Sequence, residues 1–293
     1  RGDGMVVPVL HNVQDDGLYS KEIAENLRYM REELFPPMVE ALHKLGGIPI
    51  KPILAESMQM GDENHTRQTA CDYIYDRLML PALFELDRPK KEIMKTVRYI
   101  VDTPRFFHCY GQAAARAALV AADGTEYSTM VTAVCGNGVE FGIKIASLPG
   151  QWFTAPAPMM KGRYTSSEFT EKDQLPWMGD SCVVECYGMG GFAAAASPIV
   201  CNLRGMTLKE SIGQTKEMYR ITMEKNYNFP IPNLDFDFLP VGIDIRKVLK
   251  EGVCPAIHGG MFNRVGGLIG AGMARVPMQC FEKALVAFGE KYL

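Results

Sequence analysis

The spacing of apolar positions predicts helices in the first part of the chain. Between residues 55 and 123 it indicates a helix after Asp62, where Ala70, Tyr73, Ile74 and Leu78 recur at helical spacing. A charged amphipathic stretch from Arg88 to Val101 and an alanine-rich run from Gly111 to Ala122 follow. Asp123-Gly124 is a turn and stop signal. We therefore expect residues 55–123 to form a compact helical subdomain.

Before this region the pattern predicts two strands around one long helix. Met5 to Leu10 and Ile48 to Leu54 are short apolar runs typical of strands. Between them an amphipathic helix is expected from Ser20, a good N-cap, to Leu45, stopped by Gly46-Gly47.

From residue 124 the pattern changes to short β-branched or apolar runs bounded by Gly, Asn and Pro, and Asn137-Gly138 is the strongest hairpin signal. The predicted strands are Thr129 to Cys135, Val139 to Ala146 and Cys182 to Tyr187, and the predicted helices are Leu208 to Lys225, Ile245 to Lys250 and Met278 to Tyr292. Because strands and helices mix without regular βαβ alternation, we predict an α+β fold with three regions: 1–54, 55–123 and 124–293.

Composition narrows the class of protein. The 293 residues suggest two or three compact units, and a net charge of −3 argues against nucleic acid as a partner. The apolar stretches are interrupted well short of a membrane span and no signal peptide opens the chain, so a soluble protein is expected. Since the first residue is Arg1, we also expect an N-terminal part to be missing.

Cysteine usage points to a reducing compartment. The eight cysteines lie in apolar contexts without C-x-x-C pairs or zinc-type spacing, so they are interpreted as buried free thiols. This favours the cytoplasm and argues against both a disulfide framework and a structural zinc site.

The segment Met60 to Arg67 concentrates two acids, a histidine and an arginine. With Asp62 as N-cap and Glu63 in the first turn, we expect the cluster at a helix N-terminus, where free N–H groups attract anions and keep His65 neutral as a proton acceptor. The alternative is a plain N-cap with an exposed Glu63 to Arg67 pair.

The run Gly188 to Ala193 matches G-x-G-x-x-A after a predicted strand, the local context of a dinucleotide site. Pro198 shortens the following helix, and no acid follows at the required distance, so this interpretation is disfavoured. Two alternatives stay open: N–H groups that bind a smaller anion, or glycines that permit tight packing of backbones.

Four further segments place polar groups where packing alone would not. Together they suit the binding of a small anionic amide or acid. They are Asn137 to Gly142, Gln151 to Pro158, Gly179-Asp180 with Glu185, and Gly242 to Lys247.

These segments also carry a resemblance that runs in order over nearly the whole chain. The motifs are Met-Gly-Asp-Glu-x-His-x-Arg at Met60, Asn-Gly-x-x-Phe-Gly-Ile at Asn137, Trp-Phe-Thr-Ala-Pro-Ala at Trp152, Gly-Asp at Gly179, Gly-Gly-Phe-Ala at Gly190, Gly-Ile-Asp-x-Arg-Lys-Val at Gly242 and Cys-Phe-Glu-Lys-Ala-Leu at Cys280. In these the chain resembles the YlbE/YahG-like family.

The resemblance implies a subunit of oxamate carbamoyltransferase in anaerobic allantoin catabolism, acting in an oligomer with partner subunits of FdrA type. That enzyme interconverts oxalurate and phosphate with oxamate and carbamoyl phosphate. Two other classes stay open: a hydrolase of a C–N bond in a small anionic amide, and a non-catalytic scaffold subunit.

Carbamoyl transfer needs anion anchors, a base and oxyanion donors. Our candidate base is His65, oriented by Asp62 or Glu63, and no cofactor is expected, although Asp62, Glu63 and Asp180 would suit Mg²⁺. The candidate anchors and donors are Arg67 and Arg246 for anions, and the Gly190 and Gly191 N–H groups with the Asn137 amide for the oxyanion. Thr154, Asp180 and Glu185 complete the expected substrate-binding set.

Overall fold

A computed structural model describes residues 21–103 and 105–293, and helices dominate its first part. Its helices there are α1 (Lys21–Tyr29), α2 (Phe35–Leu45), α3 (Ile50–Gln59), α4 (Thr69–Phe84), α5 (Lys90–Asp102) and α6 (His108–Val120). A π-helical segment, Met30–Leu34, joins α1 to α2, so one long helix runs to Leu45 as predicted. The predicted strand at Met5 and the N-cap Ser20 lie outside the described residues.

The helix predicted to stop at Gly46 does so for the expected reason. Gly46 has φ 70°, the left-handed conformation that glycine adopts without strain, and its N–H donates back to the carbonyl of Leu42. The strand predicted from Ile48 to Leu54 is wrong, because this stretch begins α3. A short apolar run is ambiguous by pattern alone, and here Ile53, Leu54, Ser57 and Met58 are buried at helical spacing.

The second part of the chain forms three antiparallel sheets within the described residues. The strands are β1 (Val131–Asn137), β2 (Glu140–Ile145), β3 (Phe153–Pro156), β4 (Lys161–Tyr164), β5 (Met178–Gly179), β6 (Thr222–Ile231), β7 (Asp237–Ile243), β8 (Ala256–Phe262) and β9 (Leu268–Arg275). One sheet has the strand order β3-β2-β1-β5, a second has the order β4-β9-β8, and the third pairs β6 with β7. The hairpin predicted at Asn137-Gly138 is confirmed, since it joins β1 to β2.

Helices accompany these sheets, and the longest of them, with 15 residues, follows the last strand. They are α7 (Val183–Cys186), α8 (Pro198–Leu203), α9 (Leu208–Met218), α10 (Ile245–Glu251) and α11 (Met278–Tyr292), and 3₁₀ turns lie at Gly190–Ala196, Tyr219–Ile221 and Pro232–Leu234. The predicted strand at Cys182 is wrong, because that stretch folds as α7. The predicted helix Leu208 to Lys225 ends early, since pairing of β6 with β7 outweighs the local helical pattern from Thr222 onward.

Buried side chains form one core that extends from Met30 to Ala284 and joins the helical part to the sheets. The α+β fold class is confirmed. The region boundaries at residues 54 and 123 stay a prediction.

None of the helices in the described ranges has both the length and the apolar character needed to cross a bilayer. The eight cysteines are thiols rather than disulfides, as the sequence predicts, but only six are buried, because Cys135 and Cys254 are half-buried.

Candidate functional site

The loop between α3 and α4 carries the charged cluster, and its carboxylates are buried. Helix α4 begins at Thr69 and its N-cap is Gln68, so the prediction of Asp62 as the N-cap is wrong by six residues. Asp62 nevertheless provides hydrogen-bond acceptors for the first turn of the helix, because its Oδ2 accepts the N–H groups of Ala70 and Cys71 at 2.8 and 3.0 Å. Its Oδ1 accepts Arg67 Nη1 at 2.7 Å.

Glu63 organises the loop around itself rather than sitting in a helical turn. Its Oε1 accepts the N–H groups of His65, Thr66 and Arg67, and its Oε2 accepts Nδ1 of His258 on β8 at 2.9 Å. The carboxyl group is fully buried. The alternative of an exposed Glu63 to Arg67 pair is therefore wrong, since the Arg67 guanidinium turns to Asp62 instead.

His65 lies between a serine and a carboxylate. Its Nδ1 is 2.8 Å from Oε1 of Glu185 and its Nε2 is 2.9 Å from Oγ of Ser181. The prediction that Asp62 or Glu63 orients His65 is wrong, because Glu185 of α7 does so. Glu185 is buried and does not line the cavity, so its predicted contact with substrate is replaced by this positioning contact.

The neighbours of Glu185 define the tautomer of His65. Oε1 of Glu185 also accepts the N–H groups of Gly191 at 3.0 Å and His258 at 2.8 Å. Because this oxygen accepts two main-chain donors, the third contact is an N–H of His65. Nδ1 of His65 therefore carries the proton, and in the neutral ring Nε2 has the lone pair facing the Ser181 hydroxyl.

A second histidine, His258, is held in a parallel way behind the first. Its Nε2 is 3.0 Å from the Gln214 amide nitrogen, which also donates to the Gly191 carbonyl at 2.7 Å. Nε2 of His258 is thus an acceptor, and its Nδ1–H donates to Glu63.

Burial and charge shift the pKa values of this cluster in opposite directions. Burial lowers the pKa of His258 to about 3. Burial alone would raise the pKa of Glu63, but the hydrogen bond from His258 and the charge of Arg204 outweigh it and lower that pKa to about 2. Burial raises the pKa of Glu185, opposed by its contact with His65. Burial also raises the pKa of Asp62, to about 6.

The neutral state of His258 predicts a pH dependence of stability. In the unfolded chain its pKa returns towards 6.5, so below that pH the unfolded state takes up a proton that the folded state does not, and the free energy of unfolding falls. We expect the free energy of unfolding of the wild type, relative to the variant His258→Asn, to fall by about 1 kcal/mol for each pH unit below about 6.5. Titration of Asp62 changes the free energy of unfolding in the opposite direction, because its pKa is raised in the folded state and acid therefore stabilises the fold. Asp62 is present in both proteins, so its contribution cancels in the difference between them.

Urea unfolding of the two proteins at several pH values between neutrality and about 5 measures this difference. The Asn side chain keeps an N–H donor for Glu63, so the comparison isolates titration from the loss of a partner. A difference that stays constant over this range would show that His258 is not held neutral.

Arg204, at the end of α8, supplies a buried positive charge beside the two glutamates. Its Nε donates to the Gly272 carbonyl at 3.0 Å and its Nη2 donates to Thr66 Oγ1, while Nη1 has no hydrogen-bond partner among the described residues. Burial lowers the pKa of Arg204 to about 10. The cluster therefore holds one cation, which offsets part of the negative charge of Glu63 and Glu185.

His65 and Ser181 open onto a small cavity of about 60 Å³. Drug-sized ligands occupy roughly 300–1,000 Å³, so this cavity suits a molecule of a few heavy atoms. It is lined by His65, Thr66, Arg105, His108, Trp177, Met178, Ser181, Gly259, Gly260, Phe262, Leu268, Gly270 and Ala271. The His108 ring stacks on His65 at 5.8 Å between centroids.

The predicted oxyanion donors Gly190 and Gly191 are already used. The Gly190 N–H donates to the Glu63 carbonyl at 2.6 Å, and the Gly191 N–H to Glu185. A Cβ on Gly190 would lie 2.3 Å from Glu185 Oε1, and one on Gly191 would lie 2.2 Å from a backbone oxygen. The packing interpretation of this glycine run is therefore confirmed, and the interpretation as N–H groups for a ligand is wrong.

The other predicted site residues lie outside the cavity wall. Asn137 pairs with Met178 across two strands, and its Oδ1 caps the β1–β2 turn. Thr154, on β3, donates to Glu140. The Arg246 side chain is 62% exposed and pairs with Asp244 at 2.9 Å. Their roles in binding stay predictions.

Asp180 is exposed next to Ser181 and does not join Asp62 and Glu63. The oxygens of those two carboxylates already accept N–H groups of the protein. Within residues 21–103 and 105–293, no group of three or more His, Cys, Asp or Glu side chains is arranged to hold a metal ion.

Sequence reasoning missed Ser181, Arg204, His258, Arg105 and His108. Ser181 had a signal, since Gly179-Asp180-Ser181 precedes a helix, but the misassigned strand at Cys182 concealed it. Arg204 and His258 lie in apolar surroundings with no local pattern to mark them.

Comparison with known proteins identifies the family. The model of the family "Oxamate carbamoyltransferase subunit AllG" matches residues 9–181. The chain belongs to the AllG family. The match includes the charged loop and Ser181, whereas Glu185, Arg204 and His258 follow it.

Relatives of AllG type match over most of this chain. It is 34% identical over 278 residues to the uncharacterized protein YahG and to the oxamate carbamoyltransferase subunit AllG, both of Escherichia coli (strain K12). These matches cover 94% of the chain, but 59% of YahG and 66% of that AllG. The crystal structure of a conserved protein of unknown function from Enterococcus faecalis V583 superposes with a TM-score of 0.89 at 34% identity, covering 92% of this chain and 65% of that one.

Proposed function

We propose that this chain carries the carbamoyl-transfer site of an oxamate carbamoyltransferase, which converts oxalurate and phosphate to oxamate and carbamoyl phosphate with partner subunits of FdrA type. The family name supports the reaction class. The observation that carries a catalytic role for this subunit is His65, held by buried Glu185 with its Nε2 facing the Ser181 hydroxyl at the wall of a small cavity.

The cavity suits the chemistry of a small anion. Arg105 and His108 line it together with His65, and Arg204 lies behind Thr66. We assign Arg105 the role of anchor for the oxalurate carboxylate or for phosphate, since a guanidinium grips either through two parallel hydrogen bonds. Asp72 fixes this loop by accepting the N–H groups of Arg105 and Phe107 at 2.8 and 2.9 Å.

A coupled assay of the purified protein tests the reaction, with and without candidate partner subunits. Breakdown of oxalurate that depends on phosphate and yields carbamoyl phosphate is the expected result. Breakdown without phosphate would instead support the C–N hydrolase, which the same His65 site would also serve. If no oxalurate is broken down with any partner subunit, the result would support a non-catalytic scaffold subunit.

Removal of the proposed anchor has a defined expected effect. Arg105→Gln should raise the KM for the anionic substrate about tenfold to a hundredfold, because a hydrogen bond to a charged group contributes about 1.5–3 kcal/mol. Arg105→Lys should recover part of this loss, since lysine restores the positive charge but not the two parallel hydrogen bonds of a guanidinium. Steady-state kinetics give both values.

The matched control for Arg105 is Arg98→Gln, which removes an exposed arginine of α5. Its KM should equal that of the wild type. If Arg105→Gln behaves like this control, the anchor lies elsewhere and Arg67 is the next candidate.

A further inference from the structure

We propose that Ser181 is a covalent nucleophile that carries the carbamoyl group as a serine carbamate between two half-reactions. This inference rests on the proposed function and adds a step to it. Transfer then runs from the donor to Ser181 and from Ser181 to the acceptor, rather than directly from donor to acceptor.

The first support is the geometry of three side chains. Ser181 Oγ, His65 Nε2, His65 Nδ1 and Glu185 Oε1 are joined by contacts of 2.9 and 2.8 Å. A hydroxyl next to a base that is itself oriented by a buried acid is the arrangement that activates serine nucleophiles on unrelated folds. Ser181 and His65 both line the cavity, whereas Glu185 is buried behind them.

The second support is the local backbone around Ser181. Strand β5 ends at Gly179, which has φ +129°, and helix α7 begins two residues after the serine. A strand, a sharp glycine turn and a helix also present the nucleophile of α/β-hydrolases to substrate. In this chain the turn places Ser181 half-buried at the cavity wall, where its hydroxyl contacts His65.

The proposed steps balance in atoms and protons. Ser181 Oγ bonds to the carbamoyl carbon of oxalurate while its proton passes to His65 Nε2. The carbamoyl C–N bond then breaks, and His65 returns the proton to the departing oxamate nitrogen. Hydrogen phosphate next attacks the carbonyl carbon of the serine carbamate through an oxygen. The bond from that carbon to Ser181 Oγ breaks, and the phosphate proton passes by way of His65 to Oγ. Carbamoyl phosphate leaves and the free serine is restored.

Isotope exchange in the active assembly tests the intermediate. With carbamoyl phosphate present and oxamate absent, the wild type should exchange labelled phosphate into carbamoyl phosphate, because the serine carbamate forms and reverts without the second substrate. Ser181→Ala should lower this exchange by about 10³-fold or more, in the range for a missing nucleophile. Ser167→Ala, an exposed serine outside the cavity, is the matched control and should exchange like the wild type.

A chemical probe tests the nucleophile without the full reaction. Phenyl carbamate, an activated carbamate ester, should add one carbamoyl group to Ser181 of the wild type, found by peptide mass mapping. It should add none at that position in His65→Asn. Thermal melting confirms that each variant is folded.

The outcomes separate this inference from the proposed function. An assembly that transfers carbamoyl groups yet shows no exchange, and keeps its rate in Ser181→Ala, overturns the covalent step and leaves the proposed function standing. An assembly without transfer activity, in which phenyl carbamate still labels Ser181 in a manner dependent on His65, overturns the proposed reaction and keeps the nucleophile. Absence of labelling and exchange overturns the nucleophile.

Discussion

Replacing His65 by asparagine is expected to lower kcat of carbamoyl transfer by about 10²–10⁴-fold, the range for loss of a general base. The asparagine amide can still donate to Glu185, so the buried carboxylate keeps a partner and the fold should persist. The asparagine amide cannot accept the proton of the Ser181 hydroxyl, because it has no basic nitrogen in place of Nε2. Steady-state kinetics with oxalurate and phosphate measure the loss.

The control for this prediction is His43→Asn, which changes an exposed histidine of α2 that does not line the cavity. It should leave kcat unchanged. A His65→Asn protein that melts like the wild type and retains kcat within about threefold would contradict the assignment of His65 as the base, since a group that transfers a proton contributes far more than this.

Replacing Glu63 by glutamine is expected to reduce the free energy of unfolding by about 3–5 kcal/mol, the cost of breaking a buried charged pair from one side. Glutamine can keep the three N–H groups on its oxygen, but its amide nitrogen then faces Nδ1–H of His258, and two donors meet. His258 cannot avoid the conflict by moving its proton, because its Nε2 already faces the amide nitrogen of Gln214. The charge of Arg204 also loses a compensating anion.

Urea unfolding of wild type and Glu63→Gln gives this number directly. Glu126→Gln, which neutralises an exposed glutamate, should change stability by less than about 0.5 kcal/mol, as surface substitutions usually do. An effect for Glu63→Gln no larger than for Glu126→Gln would mean that the buried cluster is not what holds the loop in place.

The sequence predicts some residues of the candidate site, but it does not predict which of them contact each other. The sequence predicts that the charged loop carries the chemistry, and His65 of this loop does line the cavity. Its partners were assigned to Asp62 and Glu63 because sequence arguments weigh near neighbours. The true partners, Ser181 and Glu185, are 116 and 120 residues away.

The sequence by itself determined the helical character of the first part, the hairpin at Asn137-Gly138, the free thiols and the family. Each of these depends on periodicity, on a turn dipeptide or on motifs, which are local properties. The tertiary structure alone decided that Ile50–Gln59 is a helix, that Thr222–Ile231 is a strand and that Glu63 meets His258 across 195 residues. The physical reason is that a short apolar run fits either structure until it finds a partner, and a buried charge is tolerated only where distant donors converge on it.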